Sequence, residues 1–157
     1  KGIIQNQEIE KKIKEFIGHW VGWDSKDPIT DFENYHLKND GDIGLYNKKA
    51  SLNLTCRNNK TEVYINWGGY LLQNRDREFL VTYRIDSNKA VTSNWNLSTD
   101  KKAFFYNGKS ISFIKSLIDS KKLVVQFKDT STKTITFQLD KLDEKIVPLA
   151  KSCNWKV

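Results

Sequence analysis

Apolar and polar residues alternate most regularly in the stretch ASLNLTCRNNKTEVYINW, residues 50–67. A two-residue turn at Asn58-Asn59 pairs Arg57 with Lys60, Leu54 with Val63, Leu52 with Ile65 and Ala50 with Trp67. Strand side chains change face at every residue, so one register sends a whole set inward. Leu52, Leu54, Val63 and Ile65 form the core face, with Cys56 and Thr61 closing it near the turn. Ser51, Asn53 and Thr55 stand against Glu62, Tyr64 and Asn66 on a face expected in water. Asparagine tolerates the positive φ of a tight hairpin turn. The pattern therefore predicts a β-hairpin around which the remaining elements are arranged.

Before the hairpin, Ile9, Ile13, Phe16, Ile17 and Trp20 recur at helical spacing and predict an N-terminal helix within residues 1–18, stopped by Gly18. Residues 20–31 read as a loop, with Pro28 biasing Asp27 away from helix. Residues 33–38 read as a short strand with Tyr35 and Leu37 on one face and His36 at the surface or a sheet edge. Residues 39–47 are rich in Gly and Asp and read as turns. After the hairpin come strands over 78–86, 91–97 and 103–106. A helix over 110–120 is expected, capped by Ser110 and striped by Ile111, Ile114 and Ile118. Strands over 122–128 and 133–139 form a second hairpin around Asp129, and Leu142, Ile146 and Leu149 predict a helix over 140–150. About eight short strands with turn signals between them predict a mainly β protein, an antiparallel β-sandwich with short peripheral helices. No linker or repeat divides it, so one domain is expected over 1–157, with 20–157 as its β body.

Composition adds little to the fold and more to the partners. The 157 residues are 38% hydrophobic and 29% charged, ordinary for a globular protein. The net charge of +7 is dispersed, as at Lys11, Lys12, Lys48, Lys49, Lys101 and Lys102, rather than gathered in a run. It reads as a solvated surface on a basic protein, the sharper alternative being a bias toward anionic partners such as lipopolysaccharide, nucleic acid or an acidic protein. No apolar run is long enough to span a membrane. The chain begins at Lys1 rather than Met, which fits removal of a start segment. Cys56 and Cys153 have neither CxxC nor metal-site spacing. They leave two readings open: two buried free thiols, or a disulfide closing a loop of about 100 residues and worth roughly 4–5 kcal/mol.

Catalytic constellations are not recognisable. The only histidines are His19 and His36, no serine lies in GxSxG, and there is no P-loop or GxGxxG. Asp24, Asp27 and Asp31 lie close together without EF-hand spacing, so turn chemistry is expected there rather than a metal. No cofactor is expected. Of the aromatics Trp23, Trp67, Tyr70, Trp95 and Trp155, most are expected to fill the core, the alternative being a stacking surface. Nucleic-acid binding through Lys60, Tyr64 and Arg84 is disfavoured. The candidate binding surface is the set of residues the fold does not obviously need: Trp23, Asp27, Asp31, Arg57, Lys60, Arg84 and Asp86. Arg84 and Asp86 share a strand face and have an ion-pair alternative.

Six segments in order resemble the VasI/TagO family of type VI secretion-associated proteins, with its phage and prophage relatives. They are Trp23 with S-x-D-P-I-T-D (Ser25 to Asp31), L-x-L-x-C-R-x-N-K-T-E-V-Y-I-x-W (Leu52 to Trp67), and Tyr83-Arg84-Ile85-Asp86. Then follow W-x-x-S-T-D-x-x-A-F (Trp95 to Phe104), F-I-K-x-L (Phe113 to Leu117) and the tail L-x-x-x-C-x-W (Leu149 to Trp155). The resemblance implies an exported, β-rich periplasmic protein in which Cys56 and Cys153 are the family's two cysteines, disulfide-paired. It implies a non-catalytic accessory or binding module of a type VI secretion system that engages an envelope protein or an anionic surface component. The alternatives are a phage-type protein binding a host glycan, lipopolysaccharide or protein, and a hydrolase of envelope polymers.

Overall fold

The computed structural model describes residues 7–8, 19–44, 49–72 and 78–157. The helix expected over 1–18 lies outside the described residues except for Gln7 and Glu8, which are helical, as does the loop at 73–77. Nine strands form one antiparallel sheet: β1 (Trp20–Lys26), β2 (Glu33–Gly41), β3 (Ala50–Arg57), β4 (Lys60–Asn66), β5 (Glu78–Ile85), β6 (Val91–Leu97), β7 (Ala103–Phe105), β8 (Lys122–Asp129) and β9 (Ser131–Gln138). Their spatial order is β1-β2-β3-β4-β7-β6-β5-β8-β9. The mainly β, antiparallel expectation holds, and a single sheet bent over on itself supplies the two apolar faces expected of a sandwich.

Closure occurs where β2 outruns β1. Asp42 and Thr136 exchange backbone hydrogen bonds of 2.8 and 2.9 Å. Buried Asn39 donates from Nδ2 to the Gln138 carbonyl at 2.5 Å. Gly41 makes this approach possible: a Cβ there would lie 2.5 Å from the Phe137 ring and 2.6 Å from Ile135. Residues 39–41, read from sequence as turn, are therefore the strand end that carries the closure.

The β3–β4 hairpin has the predicted register, from Leu52 opposite Ile65 to Arg57 opposite Lys60. Asn58 and Asn59 turn it with φ of 51° and 61°, the left-handed pair that matches the strand twist. Its inner face joins one core with Leu37, Phe79, Val81, Trp95, Phe104, Ile135 and Phe137. The outer face departs from expectation. Ser51, Asn53 and Thr55 are all buried.

The loop expected over 20–31 is largely strand β1. It alternates poorly because only Trp20 of its seven residues is buried, so no period-two signal marks it. Helix α1 (Ser110–Ile118) begins after Lys109, and Ser110 does not cap it. The helix expected over 140–150 is two: α2 (Leu142–Lys145) and α3 (Val147–Ser152). Pro148 lies in the first turn of α3, where its missing N–H costs nothing, and α2 closes just before it.

These helices end in Cys153, which is bonded to Cys56 with a Cα–Cα distance of 5.7 Å across 97 residues of sequence. Two hydrogen bonds fasten the same tail to the hairpin. Asn154 Nδ2 donates to Asn59 Oδ1 at 2.9 Å, and Trp155 Nε1 donates to Thr61 Oγ1 at 3.1 Å. No helix among the described residues is long and apolar enough to cross a membrane.

Candidate functional site

The outer face of β3 acquires its character from its neighbours. Register places Asn53 between Lys38 of β2 and Tyr64 of β4, and Thr55 between His36 and Glu62. Small polar side chains on the middle strand are overhung by long ones on both sides. Burial then forces them to find partners, since an unpaired buried polar group costs ~1–3 kcal/mol. Asn53 succeeds. Its Nδ2 donates to the Ser51 carbonyl at 3.2 Å and to Ser51 Oγ at 3.0 Å, and its Oδ1 lies 2.9 Å from His36 Nε2. With the amide NH2 turned to Ser51, Oδ1 accepts and His36 Nε2 carries the proton. Thr55 does not succeed: its Oγ1 is buried without a hydrogen bond among the described residues.

Aromatic rings cross this face. Trp23 of β1 stacks on its cross-strand partner His36 at 4.3 Å with 13° between planes. His36 meets Tyr64 edge-on at 6.2 Å, and Tyr64 stacks on Phe105 of β7 at 4.7 Å. Burial pushes the His36 pKa below 6.5, and the nearby positive charges of Arg57 and Lys38 lower it further, against the opposing bond to Asn53. The ring is therefore neutral at physiological pH. Burial raises the Tyr64 pKa, so its hydroxyl stays protonated.

Two hollows flank the hairpin. A pocket of about 200 Å³ lies over β1, β2 and β3. A larger cleft of about 620 Å³ runs beside Lys60, Glu62, Phe105 and Lys109 toward the start of α1. Trp23, Arg57 and Lys60, three of the residues singled out from sequence, border these hollows. Asp27 and Asp31 sit at the same end of the sheet, in the β1–β2 turn. Asp27 Oδ1 accepts from the Ile29 and Thr30 amides at 2.8 and 3.1 Å, which hold its carboxyl below the usual range. Asp31 faces Lys26 at 3.9 Å. Among the described residues no three His, Cys, Asp or Glu side chains converge to hold a metal.

Arg84 and Asp86 are placed three strands from the hairpin in the sheet order, at the β5–β6 turn. Arg84 donates from Nε to the Asn88 carbonyl and from Nη2 to the Ser87 carbonyl, at 2.9 and 3.1 Å. Asp86 Oδ1 accepts from the Lys121 and Lys122 amides, both at 2.9 Å. Each is bound to backbone rather than to the other. Of the aromatics, Trp67 and Trp95 are core, Trp155 is half-buried in the tail, and Tyr70 is exposed beneath Lys102, 4.9 Å from its ring. His36, Thr55, Tyr64 and Phe105 complete the ring-lined face. Their shared location is invisible until β1 and β2 are paired.

Comparisons place this architecture among known proteins. The crystal structure of invasion associated protein B from Bartonella henselae superposes with a TM-score of 0.59 at 10% identity, covering 86% of this chain and 94% of that one. That likeness concerns the fold alone. Among curated proteins none matches the sequence. Residues 30–155 match the family model described as type VI secretion system VasI, EvfG, VC_A0118. The match spans the ring-lined face from β2 onward and both disulfide cysteines, and the protein belongs to the VasI family of type VI secretion system proteins.

Proposed function

We propose that this protein is a non-catalytic accessory of a type VI secretion system that works outside the cytosol and binds another envelope component through the outer face of β1–β4 and β7. Family membership supports the machine, and the Cys56–Cys153 disulfide is consistent with an oxidising compartment. The observation that carries the binding reading is the row Trp23, His36, Tyr64 and Phe105 lying over buried polar residues of β3. A sheet face with no role beyond solvation would carry short polar side chains in water. Large aromatics with a few placed polar groups are the composition of recognition surfaces. Exposed Arg57 and Lys60, on a protein of net charge +7, favour an anionic partner.

The test is retention on purified cell-envelope fragments carrying the assembled machine. The wild type should be retained, and Trp23→Ala should weaken retention by about tenfold, or ~1.4 kcal/mol. Arg84→Ala, on the far part of the sheet, should leave it unchanged. Equal retention of the wild type and both variants would refute the assignment of this face.

A further inference from the structure

The smaller hollow has features that specify a ligand. Its lining side chains are Trp23, Ser25, Asn34, His36, Thr55 and Arg57. Thr55 lies at its floor, only 3% exposed and with its Oγ1 closed off from solvent, so the groups open to a ligand are those of the other five residues.

Charge narrows the chemistry. The lining holds one cation and no carboxylate. Arg57 makes no ion pair with any described residue. Its positive field is felt within the pocket, where it opposes protonation of His36. The pocket thus offers a guanidinium to an anion, and a planar guanidinium matches a carboxylate best through two parallel bonds. The remaining open groups are uncharged: the Ser25 hydroxyl, the Asn34 amide, whose Oδ1 accepts from the Asn58 amide at 2.9 Å, and neutral His36. Such groups suit hydroxyls.

Shape narrows it further. Trp23 is 47% exposed, and its indole stacks on the neighbouring His36 ring, which fixes its plane. A fixed aromatic face packs against the C–H face of a sugar. The volume of about 200 Å³ is below the ~300–1,000 Å³ of sites for drug-sized ligands and has room for a single ring. A peptide carboxylate would use Arg57 but leave the flat indole and the uncharged polar groups without counterparts. The strand holding Thr55 and Arg57 is preorganised, because the residue between them is Cys56, tied to Cys153.

We propose that this pocket binds one carboxylate-bearing monosaccharide unit of an envelope glycan, with Arg57 on the carboxylate, Trp23 on the ring face and Ser25 and Asn34 beside the ring hydroxyls. The proposal rests on the reading of this face as the binding surface and names its ligand class.

Titration of the purified full chain with glucuronic acid, glucose, acetate and a short acidic peptide, followed by amide chemical shifts and tryptophan fluorescence, tests it. Glucuronic acid should saturate with shifts centred on Thr55 and His36, and glucose and acetate should each bind at least about tenfold more weakly. Arg57→Gln should reduce the glucuronic acid preference over glucose by about tenfold, and Trp23→Ala should weaken both sugars alike. Acetate binding as well as glucuronic acid would reduce the pocket to an anion hole and overturn the proposal. So would tighter binding of the acidic peptide, or no saturation by glucuronic acid with the folded wild type. If the sugar fails while Trp23→Ala still abolishes envelope retention, the ligand class falls and the binding face stands; if both fail, both readings fall.

Discussion

The β3–β4 and β8–β9 hairpins are alike in plan and opposite on their outer surfaces. Both turn at non-glycine residues of positive φ, Asn58-Asn59 in one and Thr130 in the other. Both send an apolar row inward, Leu52, Leu54, Val63 and Ile65 against Leu123, Val125, Ile135 and Phe137. Both β3 and β8 have a strand on each side, so position does not separate them. Yet β8 alternates between buried and exposed or half-exposed residues, as a half-wet strand should, while β3 is buried from Ala50 through Cys56. Flanking side chains make the difference. Gln126 of β8 lies between Thr82 and Thr134, which are too short to cover it. Asn53 and Thr55 lie between His36, Lys38, Glu62 and Tyr64. Polar residues are buried on an outer face only where larger neighbours close over them, and that happens on the part of the sheet where rings and hollows gather.

Removing the covalent tie should have the largest effect. It closes 97 residues, and a Cys56→Ala/Cys153→Ala pair should lose ~4–5 kcal/mol by the chain-entropy estimate. Thermal unfolding should shift down by roughly 10–20 °C. The β3–β4 end should open first, read as faster amide exchange there than in β8–β9.

Core truncations should not distinguish the hairpins. Leu54→Ala and Ile135→Ala, both fully buried, should each cost ~2–5 kcal/mol in urea unfolding. Outer-face truncations should distinguish them. Asn53→Ala strips the partner from His36 and Ser51 and should cost ~1–3 kcal/mol. Exposed Thr134→Ala should stay within ~0.5 kcal/mol. Equal costs at these two positions would remove the contrast.

A smaller effect follows from His36. Its folded pKa lies below 6.5, chiefly because the ring is buried. The unfolded chain then binds the proton more readily than the native one, so stability is complete above about pH 6.5 and declines as pH falls through the folded value. Urea midpoints of the wild type should drop between about pH 7 and about pH 5, and His36→Gln, which cannot titrate, should show a shallower drop.

Much of this was readable in the residues. Alternation and the Asn-Asn pair gave the β3–β4 register residue by residue, because a single register matches every apolar position. The resemblance to the family led to the two cysteines that are bonded. The alternation rule that succeeded inward failed outward, since what covers Thr55 is set by strands far away in sequence. Strand β1 was hidden because an edge strand with one buried residue has no periodicity. Without β1 there is no Trp23–His36 stack, and His36 reads as a surface residue. Asn39 and Gly41 look like turn residues by type, yet one clamps the sheet and the other lets β9 approach. Arg84 and Asp86, attractive as a charged pair, are each consumed by backbone groups. Trp23, Arg57 and Lys60, singled out as residues the fold does not need, border the hollows beside the hairpin, and no sequence pattern says that they lie together.

The most direct test of whether the outer face around β3 is a site rather than packing is Arg57→Gln, measured for stability and for glucuronic acid binding on the same sample. Replacing an exposed side chain that makes no ion pair among the described residues should leave stability within ~0.5 kcal/mol, while glucuronic acid binding weakens by about tenfold. A lowered unfolding midpoint with undiminished binding would show that the guanidinium serves the fold, and would contradict the account.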